Sequence, residues 1–380
     1  MHTVTRSTGV EALLRFSGTP STPRPARLDP ERWFRIDRGV YLDASHVPFD
    51  LKPWEASRVV AKARVLAVSH RFRTGRSAES QTATVAFTAA SALVATDLGT
   101  WEQNPPVTIR VTRSQHRLSP LPAVVLRGHQ IEGVPVRQTT TVINGAESVP
   151  TPDWTSSSRA AAQTGDRPIS LTAPPVQGDC PAAASVSRAP WHTVIRDLAA
   201  LDYPLAAFVN ACTILRNYTA FDRFWFEESL DREATFKREL RRNLGNFGGG
   251  RGARTLRRIL LHATGAAESP GEAAMLWHLY SVLDPAVHLE AQWHVYVRGR
   301  SFYLDAAIPP KRIAFEFDGV SKFALDQAEW SRQTQEFLQR QNLLAGAGWT
   351  VIRLTWGDVA DANRAEALLR RQLEPFGVCG

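Results

Sequence analysis

The sequence of 380 residues predicts an α/β (α+β) protein, and three observations carry that prediction. Residues 301–305 and 312–318 alternate acidic with bulky apolar side chains, the pattern of strands, whose successive side chains face opposite ways. A polar stretch at 327–347 spaces Trp330, Phe337, Leu338, Leu344 and Ala345 as one helix face and ends at Gly346 and Gly348, which fit a helix stop. Upstream, runs rich in Val and Ile alternate with stretches rich in Ala. Interleaved strands and helices imply layered sheets covered by helices.

In chain order, residues 1–147 read as one α/β unit. Residues 10–16 have a helical look, and Pro20, Pro23 and Pro25 break the next stretch of chain, since proline removes a backbone donor and clashes inside helices. Residues 35–42 read as a strand, 55–70 and 83–95 as helices, and 107–111, 123–127 and 133–137 as strands of one sheet. Composition then shifts to Ser, Thr, Pro and Ala across 148–190, with Trp154 and Trp191 near its ends. Such a segment buries little apolar surface and reads as a linker.

Residues 191–265 read as a basic helical segment. Arg232, Lys237, Arg238, Arg241, Arg242, Arg251, Arg254, Arg257 and Arg258 face only Asp231, Glu233 and Glu239 over 231–262, with a glycine break at 248–250. Arg254, Arg257 and Arg258 share a face if helical. Arg241, Arg242, Arg251, Arg254, Arg257 and Arg258 are the candidate contacts to a nucleic-acid backbone, whose hold would depend on salt. A plain solvated helix face is the other reading.

Residues 266–380 carry the candidate chemistry. With a turn near Pro310, Asp305 and Glu316 lie opposite each other, about 5 Å apart at Cβ. Tyr303, Asp305, Ala314, Glu316 and Asp318 would share one face, and Phe302, Leu304, Ile313, Phe315 and Phe317 the core face. Carboxylates that close need a cation or raised pKa values. Mg²⁺ (or Mn²⁺) suits one or two carboxylates plus water, and such an ion activates water for phosphodiester cleavage. A hairpin edge with solvated charges is the competing explanation. Ser269-Pro270-Gly271-Glu272 reads as a capping box; Glu272 either serves the backbone or leans toward the ion. A strand at 349–356 and a helix at 359–373 complete the chain.

These pieces, Glu268 to Glu272, Gln292 with Val295, Asp305, Glu316 to Gly319, Lys322 and residues 348–356, resemble the PD-(D/E)XK nuclease-like domain related to the very-short-patch mismatch repair endonuclease. The resemblance covers about the last third of the chain. It implies a restriction-endonuclease-like mixed sheet with flanking helices and Asp305 and Glu316 as metal ligands, Asp318 and Glu272 assisting. The superfamily usually has Lys two residues after the Glu; Asp318 stands there, and Lys322 would supply the charge. Arg340-Gln341-Asn342 lacks the acids that relatives often carry after that Arg. Residues 38–41, 87–93, 105–110 and 133–136 resemble the N-terminal part of AbiEi-like antitoxin and regulator proteins, with the winged-helix start degenerate. That resemblance implies a scaffold or DNA-binding role and a possible toxin partner.

Composition limits the alternatives. The formal net charge is +8, which favours a polyanionic partner such as DNA. Cys180, Cys212 and Cys379 have no metal-binding spacing and imply a reducing, cytoplasmic setting. The first residues lack a signal-peptide pattern, and no apolar run suits a membrane span. Scattered histidines argue against zinc, and the absence of a Walker-type loop argues against a nucleotide cofactor. The sequence therefore points to a Mg²⁺-dependent DNA endonuclease with Glu272, Asp305, Glu316 and Lys322 as catalytic candidates. The alternative is a non-catalytic DNA-binding regulator built on a decayed nuclease fold.

Overall fold

The computed structural model describes Val10 and residues 14–16, 29, 31–74, 85–111, 118–140, 147–149, 186–244, 250–319 and 327–380. At 15–16, 46, 73–74, 147–149 and 327–334 the description is of the backbone alone. Lys322, Trp154, Cys180, Pro20, Pro23, Pro25 and most of the 148–190 stretch lie outside the described residues. The chain divides into two compact units, Met1–Asp202 with Gly250–Gly252, and Tyr203–Gly249 with Ala253–Gly380. The basic segment at 191–265 is thus shared between them. No helix among the described residues is long and apolar enough to cross a membrane.

Among the described residues the first unit has three sheets. β1 (Leu14–Phe16), β2 (Trp33–Asp37) and β3 (Val40–Asp43) form one in the order β1-β3-β2. β4 (Val85–Phe87), β5 (Val107–Val111), β8 (Val136–Thr140), β9 (Glu147–Val149) and β10 (Val186–Arg188) form a mixed sheet in the order β8-β5-β4-β10-β9. β6 (Val124–Leu126) and β7 (His129–Ile131) make a hairpin. Helix α1 (Pro53–Thr74) carries Ala56, Val59, Val60, Ala63 and Val68 into the shared core. Its Arg64 is fully buried and donates to the carbonyls of Pro122 at 2.7 Å and Glu132 at 2.8 Å, so one guanidinium ties two loops to the helix.

Four expectations for this unit change. Residues 123–127 do not join the sheet of β5: Val124–Leu126 pairs with β7 in a hairpin of its own, because the chain reverses at Arg127 and Gly128, both at positive φ. Residues 35–42 are two strands, because Gly39 takes φ +71° and turns the chain between β2 and β3. The stretch at 83–95 opens as β4, not helix. Val85 to Phe87 is paired on both sides, with β5 and β10, and tertiary pairing overrides the helix preference of an Ala-rich run. Only α2 (Ala90–Ala95) is helical, entered at Ala89 with φ +51°. Leu14–Phe16, expected as helix, pairs antiparallel with β3.

Helix α3 (Trp191–Leu201) belongs to this unit and pins it through a buried charge. Asp197 accepts two bonds from Arg110 on β5, at 2.6 and 2.7 Å, and one from Thr88 at 2.7 Å. All three side chains are buried.

The second unit packs helices and one four-stranded sheet. α4 (Pro204–Thr219) is buried nearly all round and is surrounded by α5 (Phe226–Leu244), α6 (Ala253–His262) and α7 (Pro270–Val282). β11 (Glu290–Val297), β12 (Arg300–Ile308), β13 (Ile313–Asp318) and β14 (Thr350–Thr355) are ordered β11-β12-β13-β14. The first three form an antiparallel meander, and β14 runs parallel to β13. A parallel neighbour needs a long crossover, which α8 (Gln327–Gly346) provides. The expected final helix is two, α9 (Trp356–Val359) and α10 (Ala362–Leu373). Asp361 caps the second by accepting from Arg364 N at 3.1 Å.

The faces of β12 also differ from expectation. Leu304 and Ala307 have opposite parity, yet both join Val295, Phe302, Ala314 and Leu344 in one cluster. Ladder pairing skips Gln292 and Asp305, and Gln292 sits at φ +51°. The strand therefore changes face at Asp305. Phe302 and Leu304 lie with Ala314 under α8, while Phe317 lies against Gly271 of α7 and Trp356.

Removing one partner of a buried ion pair leaves an uncompensated charge, which costs about 3–5 kcal/mol. Asp197→Ala is expected to lower stability of the first unit by that amount, read as a shift in the urea midpoint. A shift below about 1 kcal/mol would show that Arg110 and Asp197 behave as a solvated pair.

Candidate functional site

Glu272 enters the site through its own helix cap. Ser269 precedes α7 and its Oγ accepts from Glu272 N at 3.2 Å. The Glu272 carboxylate in turn accepts from Glu268 N at 2.8 Å and Ser269 Oγ at 2.9 Å. Ser269 caps the helix as expected, but the return bond goes to Glu268 N rather than to the N-cap N–H, so the reciprocal box is incomplete and the carboxylate stays beside the sheet. Gln292, buried on β11, points its amide nitrogen at Glu272 Oε2, 3.4 Å away. α7 can come this close to the sheet because Gly271 has no side chain: a Cβ there would stand 2.1 Å from the Phe317 ring.

Asp305 and Glu316 are placed by the ladder. Ala306 pairs with Phe315, so the next positions outward are Asp305 and Glu316. Asp305 Oδ2 accepts from Phe317 N at 2.8 Å. The pairing of strands opens there, and a side chain takes the backbone donor.

The charges around these acids are unevenly compensated. Glu316 is buried and pairs with Arg340 of α8 and with Arg353 of β14 at 2.8 Å. Arg353 also reaches Asp318 at 3.2 Å. Glu268 faces Arg216 at 3.6 Å and Arg223 at 3.4 Å. No ion pair to Glu272 or Asp305 is found among the described residues. Burial pushes the Glu272 carboxyl up to about 8, and the charge of Asp305 adds to the rise against the lowering effect of its capping bonds. Burial likewise pushes Asp305 up to about 7; the Phe317 N–H opposes this, the Glu316 charge adds to it, and Arg340 opposes it.

The structure thus brings Glu272, Asp305 and Glu316 together, with Asp318 beside them through Arg353. Of the acids in this cluster, Glu272 and Asp305 have no ion-pair partner among the described residues, whereas the sequence paired Asp305 with Glu316. Lys322 lies outside the described residues. Among the described residues, no group of three or more His, Cys, Asp or Glu side chains is placed to hold a metal ion. Arg353 was missed from the sequence, although it is the one charge in an apolar strand and lies in register with Glu316. Arg216 and Arg223 gave no local signal.

The basic residues separate. Arg242, Arg251, Arg254 and Arg257 are exposed, and exposed Arg241 donates to Leu260 O at 3.0 Å. Arg258 does not share the open face. It stacks on Trp277 at 3.6 Å and donates to Trp277 O at 2.5 Å and Ser281 Oγ at 2.6 Å, so it joins α6 to α7. Comparison of the chain with protein-family models, curated proteins and solved structures gives no match.

The folded pKa values of Glu272 and Asp305 lie above their unfolded values, so the folded state binds more protons between about pH 4 and 8. Their contribution to stability is fully present below about pH 4 and is lost as pH rises through 7 to 8. Without divalent ions, Asp305→Asn is expected to raise stability at pH 8.5 by at least about 1 kcal/mol, or about 2–4 °C in Tm, with the gain shrinking toward pH 4. Equal thermal shifts across that range would remove the repulsion argument. Gly271→Ala is expected to cost about 1–3 kcal/mol by overpacking against Phe317, and Phe317→Leu should recover part of that loss.

Proposed function

We propose that the second unit is a metal-dependent endonuclease-like module that hydrolyses phosphodiester bonds in DNA. The observation that carries this reading is the pair Glu272 and Asp305, two partly buried carboxylates without an ion-pair partner among the described residues, beside acids that each have one. A pair of carboxylates is compatible with Mg²⁺ or Mn²⁺, which take one or two carboxylates and keep several waters. The order helix, three antiparallel strands, crossover helix and parallel strand supports the likeness to the nuclease-like domain. So does the excess positive charge of the chain.

Each nearby residue then has a task. Asp305 and Glu272 would hold the ion; Phe317 N–H fixes the Asp305 rotamer, and Ser269 and Gln292 orient Glu272. Arg340 and Arg353 hold Glu316 in place. When bound, the ion would activate a water and stabilise charge on the leaving oxygen. Glu272 and Asp305 bind it as anions, so binding releases protons and tightens as pH rises through 7 to 8.

A second reading has its own observation. Glu316 is committed to two guanidiniums, as expected if the nuclease site has lost its chemistry and the fold only binds DNA. Cleavage of duplex and single-stranded DNA with Mg²⁺ or Mn²⁺ distinguishes the two. Under the leading proposal Asp305→Asn and Glu272→Gln each lower the rate by about 100-fold or more while DNA binding persists. DNA binding with no cleavage under either metal, indifferent to Asp305→Asn, would establish the regulator reading instead.

A further inference from the structure

The outer face of α5 has no role in the site above. The helix buries Ser229, Glu233, Phe236 and Leu240. At about 100° per residue, the opposite stripe is Glu227, Asp231, Ala234, Thr235, Arg238 and Arg242, and all six are exposed. Acids occupy its first half, small residues its middle and arginines its last half. Within one chain this stripe is unfavourable. Glu227 and Asp231 are like charges four apart, as are Arg238 and Arg242, and such pairs are destabilising. The ion pair described on α5 itself, Glu233 with Lys237 at 2.8 Å, uses neither. None of the four stripe charges has an ion-pair partner among the described residues.

We propose that α5 pairs antiparallel with α5 of a second copy of this chain, about a two-fold axis passing between Ala234 and Thr235. In that register Glu227 faces Arg242, Asp231 faces Arg238 and Ala234 faces Thr235, each contact occurring twice as an isologous interface requires. The small central residues let the helices approach to about 8 Å. The same register brings Trp225, 63% exposed, to the level of Leu244 of the second copy. Helix-dipole preference also places acids first and bases last, but it does not require them on one stripe with a small-residue centre. A polyanion fits less well, because Glu227 and Asp231 on the same stripe repel phosphate. A single helix pair buries less than the roughly 800 Å² per partner of a stable interface. The dimer is therefore weak, with a Kd on the order of 10–100 μM, and weakened by salt.

Sedimentation of the full chain tests this. Mass should rise toward a dimer with concentration at low salt and return to monomer at about 0.5 M NaCl. Two charge-sorted variants, Arg238→Glu with Arg242→Glu and Glu227→Lys with Asp231→Lys, should each be monomeric and folded by circular dichroism. Mixed together, they should form a heterodimer at least about tenfold tighter than the wild-type dimer. A wild type that stays monomeric at about 100 μM in low salt, or variants that mix without gain in mass, overturns the proposal. So does a dimer that persists in both variants, or loss of DNA binding in the Arg variant with no change in mass.

Discussion

Carboxylates cannot be gathered at the end of a sheet unless something offsets their repulsion, and the second unit is arranged around that requirement. Glu268 meets Arg216 and Arg223, and Glu316 meets Arg340 and Arg353, the latter shared with Asp318. Each of these arginines comes from a different element, or from the turn before α5, so the ion pairs also tie α4, α8 and β14 to the sheet and to the start of α7. Glu272 and Asp305 are the remainder, and protons offset their repulsion in the absence of a cation.

The backbone makes the cluster possible. Gln292 at φ +51° interrupts the β11–β12 ladder opposite Asp305. The interruption lets β12 change face, and because the β12–β13 ladder ends at Ala306 and Phe315, the Phe317 N–H is left to bond the Asp305 carboxylate. Gly271 brings the first turn of α7 onto the Phe317 ring. A residue that caps a helix would ordinarily be spent on the cap. Here the cap lies against the sheet, so satisfying the backbone and presenting Glu272 to Asp305 are one arrangement.

Much of the second unit could be read from the sequence because its signals are local. Alternation located β12 and β13, Pro310 marked their turn, and Ser269 to Glu272 announced the start of α7. What could not be read depends on partners distant in sequence. Val85 to Phe87 looks helical until β5 and β10 claim it from both sides. The face change at Asp305 depends on a backbone angle at Gln292. Arg353 acquires its role only because a parallel strand sets it beside Glu316. The acids of the candidate site could thus be picked out in the sequence and their counter-charges could not, since an arginine reveals its partner only in three dimensions.

Arginine abundance, as a sign of nucleic-acid binding, is subject to the same restriction. Arg64, Arg110, Arg258, Arg340 and Arg353 are all committed to carbonyls or carboxylates within their own unit. A guanidinium so engaged offers little to a phosphate, because leaving its partner unpaired in a partly buried site costs more than a surface contact returns. The charge that can act on a polyanion is what remains exposed, Arg251, Arg254 and Arg257 among the candidates. Arg238 and Arg242 are exposed too, but they share their stripe with Glu227 and Asp231. Net charge therefore overstates the surface available to DNA, and the arrangement of each arginine, not its count, decides which face meets which partner.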